Sequence, residues 1–89
     1  MPKAHHKIYA ADVELIADAH AKRITPARLE ALQPLAEFDS DEEDHRIARK
    51  AVAALGPEVE HFIVRSTYDD YEHWMFCTVE DSNPMVFES

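Results

Sequence analysis

Apolar positions change their period part-way along the chain. Up to Leu55 they recur every three or four residues, as on one side of a helix, and from Val59 they gather into short β-rich blocks. Residues 12–23 predict a first helix, with Val13, Ile16, Ala17 and His20 on one side and Leu15 and Ala19 widening the stripe. Ahead of it, Ile8 and Tyr9 read equally as a short strand or an extended arm. Thr25-Pro26 predicts a second helix, the threonine capping the first free amides and the proline occupying the first helical position. Leu29, Leu32 and Leu35 supply its apolar side, and Pro34 keeps it short or kinked because it lacks an amide hydrogen and disfavours helical geometry at Gln33. Ser40-Asp41-Glu42-Glu43 fits a capping box opening a third helix, whose buried stripe is Ile47, Ala48, Ala51, Val52 and Leu55. Its early acids and later Arg49 and Lys50 suit the helix dipole; Gly56 is expected in a left-handed conformation at its end, and Pro57 blocks continuation.

The later blocks predict strands at Glu60 to Thr67 and His73 to Val79, joined through Tyr68-Asp69-Asp70-Tyr71-Glu72. Asp81-Ser82-Asn83-Pro84 predicts another turn, followed by a short third strand from Met85 to Phe87. The expected fold is one α+β domain over residues 1–89, with two to three N-terminal helices on one face of a C-terminal three-stranded antiparallel meander. Residues 1–7 are expected to form a mobile tail. If Asp69-Asp70 is the hairpin loop, Phe62, Val64, Met75, Cys77 and Val79 share one sheet face. His61, Ile63, Arg65, Trp74, Phe76 and Thr78 share the other, though a loop without glycine leaves a longer turn and a shifted register open. Helices covering one face alone would leave Ile63, Trp74 and Phe76 exposed beside Arg65, a composition typical of interfaces.

Charge adds a second constraint. Eighteen acidic residues face nine lysines and arginines, for a net charge of −9. Residues 37–44 contain six acids and no lysine or arginine, and residues 58–89 contain eight acids against Arg65. Such a balance disfavours direct binding to nucleic acid or an anionic membrane and favours a basic partner surface. A domain of 89 residues buries only about 60–65% of the surface its unfolded chain exposes, and its lone Cys77 excludes an intrachain disulfide. The lone thiol and the lack of a secretory or membrane-spanning apolar run predict a cytoplasmic location.

Candidate chemistry is sparse. Six histidines are present, but no pair has His-x-x-x-His spacing and there is no cysteine pair, so neither a metal site nor a cofactor is expected. Cys77 lies mid-strand among apolar residues, where a buried thiol is the ordinary outcome. Asp69-Asp70 sits at a turn tip, too exposed for a tuned carboxylate pair, and the acids of 39–44 lack the oxygen spacing and glycine of a calcium loop. The expected function is therefore non-enzymatic binding to a basic surface of a protein or nucleoprotein partner. Tyr68, Asp69, Asp70, Tyr71, Glu72, Trp74, Phe76, Ile63, Glu42 and Glu43 are the candidate contact residues. In size and acidity the chain is similar to small phage-encoded inhibitors of host defence, including anti-CRISPR proteins; that resemblance implies competition with nucleic acid. The second reading is a homodimeric structural or accessory subunit pairing through Ile63, Trp74 and Phe76.

Overall fold

The computed structural model describes residues 4–56 and 58–79, together with the backbone of 85–87. The elements run β1 (Ala4–Ala10), α1 (Val13–His20), α2 (Pro26–Glu30), β2 (Ala36–Ser40), α3 (Asp44–Ala54), β3 (His61–Thr67), β4 (Glu72–Thr78) and β5 (Met85–Phe87). The strands form one antiparallel sheet in the order β2-β1-β3-β4-β5. The α+β class and the last three strands match expectation, but strands and helices are interleaved and the sheet has five strands among the described residues.

The N-terminal segment departs furthest from expectation. Residues 4–7 belong to β1, which is paired on both sides, by β2 and by β3. The two-residue period of a strand sends Ala4, His6 and Ile8 to one face and His5, Lys7 and Tyr9 to the other. The second unexpected strand, β2, takes up the serine assigned to a capping box. Ser40 ends β2, and α3 starts at Asp44 behind Glu43, whose side chain makes no cap hydrogen bond. Ser40 Oγ still accepts from the Glu42 backbone amide at 3.1 Å, so its local hydrogen bonding survives outside the helix.

The shorter helices follow their punctuation. Asp12 caps α1 by accepting from the Leu15 amide, and Thr25 caps α2 by accepting from the Arg28 amide. α1 buries Leu15 and Ala19, whereas Val13 is 82% exposed, so the centre of the apolar stripe lies away from Val13. In α2 only Leu29 is buried, and Leu32 and Leu35 remain exposed. Gly56 does not adopt a positive φ; Lys22, just beyond α1, does, at 57°.

Helices cover the sheet on both sides. Leu15, Ala19, Ile24 and Leu29 pack on Tyr9, Ile63, Trp74 and Phe76. On the opposite face, Ile47, Ala48 and Ala51 of α3 pack on Ile8, Phe62, Val64, Met75 and Cys77. The expectation that one face is left uncovered is thus overturned: Ile63 and Trp74 are 0% exposed and Phe76 is 6% exposed. The α1–α2 connection crosses one face and α3 the other, so both faces of β3 and β4 must be apolar. Each large aliphatic or aromatic side chain so buried contributes about 1.5–3 kcal/mol relative to an exposed one, which makes these two clusters the main stabilising feature.

Candidate functional site

The β3–β4 register follows the expected pairing, from His61 opposite Thr78 to Thr67 opposite Glu72. The Tyr68 amide donates to the Tyr71 carbonyl at 2.7 Å, closing the loop around Asp69-Asp70. Neither aspartate takes a positive φ, so the turn closes without the conformations for which glycine is favoured. At its base the Tyr68 and Tyr71 rings stack with centroids 4.6 Å apart and planes 8° from parallel. Tyr71 is 52% exposed, while Tyr68 is half-buried against His73, with ring centroids 5.4 Å apart. Burial pushes the Tyr68 phenol up from its ordinary value, and the neighbouring Tyr71 and Asp44 push it further.

Antiparallel order brings a second acidic segment to the same end. Thr67 pairs with His5 across β1, and Ser40 at the end of β2 pairs with Ala4, so the 40–44 connection lies at the hairpin end of the sheet. Asp44 Oδ1 comes within 3.4 Å of His73 Nε2, beside the tyrosine pair. His73 is 8% exposed, and that nitrogen has no partner of hydrogen-bonding geometry among the described residues.

Several acids here are already matched. Glu42 pairs with Lys50, whose hydrogen bond holds the Glu42 carboxyl below its ordinary value. Glu43 lies 3.4 Å from His45. Glu72 receives Arg65 Nε at 3.0 Å, and Glu30 approaches the same guanidinium at 3.4 Å. Burial opposes the Arg65 charge, but the hydrogen bonds that its guanidinium donates to Glu72 and Tyr9 outweigh it and raise its pKa above the ordinary value. Asp41, Asp69 and Asp70 have no cationic side chain paired with them among the described residues.

The sequence-derived contact residues therefore divide. Tyr68, Asp69, Asp70 and Tyr71 form the hairpin tip, with Glu42 and Glu43 in the segment leading to Asp44. Glu72 is largely engaged with Arg65. Ile63, Trp74 and Phe76 lie inside the α1–α2 core and cannot serve as a contact face, because helices already occupy it. The same finding removes the homodimer built on that face.

Sequence reasoning placed Asp44 in the acidic run 37–44 but missed its approach to His73, which depends on pairing between distant strands. It also missed the buried pair of His6 and Ser66. Ser66 Oγ lies 2.6 Å from His6 Nδ1, and His6 Nε2 lies 2.7 Å from the Ser40 carbonyl. A carbonyl only accepts, so Nε2 carries the proton and Ser66 donates to Nδ1. Both residues are 0% exposed, so no substrate reaches the hydroxyl and the pair functions as a polar tie between β1, β2 and β3.

His61 and His73 point to opposite faces, and no group of three or more His, Cys, Asp or Glu side chains is arranged to hold a metal among the described residues. No helix among them is long and apolar enough to cross a membrane. Comparison with known protein families, curated proteins and solved structures returns no match.

Proposed function

We propose that this chain is a small acidic, non-enzymatic binding protein that engages a basic surface of a partner protein or nucleoprotein complex. The observation that carries the reading is the convergence of two acidic segments: Asp44 lies 3.4 Å from His73 beside the Tyr68–Tyr71 stack. Asp41, Asp69 and Asp70 supply negative charge to steer a cationic partner, and the half-exposed Tyr71 ring supplies contact area and a π-face for lysine or arginine. In its more specific form, the protein is a phage or mobile-element inhibitor of host defence that competes with nucleic acid for a positively charged groove.

Partner capture from host lysate across a salt series, with the wild-type chain and D69K/D70K, tests the binding reading. Attraction at this end predicts weaker capture as salt rises and about tenfold weaker association in the variant at low salt. A captured complex indifferent to both changes would count against it. The inhibitor form further predicts that adding the protein lowers DNA binding by the captured complex.

A further inference from the structure

We propose that the outer edge of β2 is a second recognition surface, which accepts an extended partner strand whose basic side chains alternate with apolar ones. β2 stands at the end of the sheet and, among the described residues, β1 is the one strand that pairs with it. Along the outer edge of such a strand, every second residue directs its amide and carbonyl outward, a template for one more antiparallel strand. Main-chain hydrogen bonds would supply affinity, and the alternating side chains would supply selectivity.

The side chains of β2 specify the occupant. Glu37 and Asp39 share one face, with side chains 48% and 62% exposed. Ala36 and half-buried Phe38 share the other, and exposed Leu35 immediately precedes them. A second copy of β2 laid antiparallel would bring acidic side chains against acidic ones, within a segment holding six acids and no lysine or arginine. A strand with lysine or arginine beside Glu37 and Asp39, and an apolar residue beside Phe38, matches both faces. The carboxylates that discourage self-pairing thus select a basic strand. This surface lies across β1 and β3 from the hairpin strand β4, so it is separate from the hairpin tip.

The test uses the whole chain and a capped seven-residue peptide of alternating lysine and valine, read by calorimetry and backbone amide exchange. The expected result is saturable binding with slower exchange at outward amides within residues 36–40. E37K/D39K should weaken binding about tenfold while remaining folded, with a small drop in thermal midpoint because it sets lysines opposite His5 and Lys7, whereas D69K/D70K should stay within about twofold of wild type. Absence of binding at low salt would overturn the proposal. So would equal binding of a peptide with its lysines grouped together, or exchange changes confined to the hairpin. Peptide binding lost in D69K/D70K but retained in E37K/D39K would assign recognition to the hairpin tip alone.

Discussion

His5 and His6 are neighbours on β1, yet the strand's alternation places them in opposite chemical situations. His6 faces α3 and is wholly buried, donating to the Ser40 carbonyl and accepting from Ser66. His5 faces the other way and lies in partial contact with water, with Nδ1 2.7 Å from Asp39 and Nε2 3.3 Å from Glu37. Burial lowers the pKa of His6, whereas hydrogen bonds to Asp39 and Glu37 raise that of His5. The difference shows that residue type decides little until the sheet face is known. The same holds for the acids: Glu72 is tied to buried Arg65, while Asp69 and Asp70, a few residues away, have no cationic partner among the described residues.

The largest test of this contrast is alanine at each position. His6→Ala should cost about 3–5 kcal/mol, because it opens a cavity and leaves the Ser66 hydroxyl and Ser40 carbonyl without their buried partner. His5→Ala at neutral pH should change stability by no more than about 0.5 kcal/mol, as expected for an exposed, screened cluster. Denaturant unfolding of both variants measures the gap. Equal costs would mean that the buried tie between β1, β2 and β3 does not contribute as its geometry implies.

Ser66→Ala probes the same tie from its other end. It leaves His6 Nδ1 buried without a donor and should cost about 1–2 kcal/mol. Because the two residues share one hydrogen bond, their effects should not add: H6A/S66A should be less destabilised than the two single losses combined. Strict additivity in a double-mutant cycle would remove the coupling.

How much of this was readable beforehand depends on where the decisive partner lies in the chain. Tyr68-Asp69-Asp70-Tyr71 sits between two β-rich runs, so the hairpin, its register and its two faces follow from nearby residues. β1 does not, because Ala4-His5-His6-Lys7 looks like a polar tail until Ser66, sixty residues away, accommodates the buried imidazole. β2 is hidden for a related reason: Ala36-Glu37-Phe38-Asp39-Ser40 has a weak strand pattern that becomes a strand only beside β1. The two-sided core left a visible trace. Phe62-Ile63-Val64 and Trp74-Met75-Phe76-Cys77 are continuous apolar runs, as required of strands covered on both faces. Of the candidate site, the hairpin aromatics and acids were legible, whereas the approach of Asp44 to His73 required the assembled sheet.

Acid stability sharpens the contrast at His6. Its folded pKa lies below the ordinary 6.5, so below that pH the unfolded chain takes up a proton that the native chain resists. This linkage is absent above 6.5 and erodes stability as pH falls from 6.5 towards the lowered folded value. His6→Gln cannot be protonated in this range and keeps an amide that can donate to Ser40. Its stability curve should therefore fall less steeply than that of wild type below pH 6.5; parallel curves would rule out this proton linkage.

The smallest effect belongs to His5 and has the opposite sign. Its folded pKa is raised, so the stabilisation is complete below 6.5 and is lost as pH rises through the folded value. With the imidazole nearly half exposed, solvent screening limits the effect to a few tenths of a kcal/mol. His5→Gln should abolish this small decline above pH 6.5 while leaving the acid-side loss from His6 intact. Raised salt should shrink the difference between the His5 variant and wild type, because the cluster is exposed, but should affect the His6 difference much less. If salt acted equally on both, the distinction between an exposed ion cluster and a buried neutral imidazole would fail at the two residues where it is drawn most sharply.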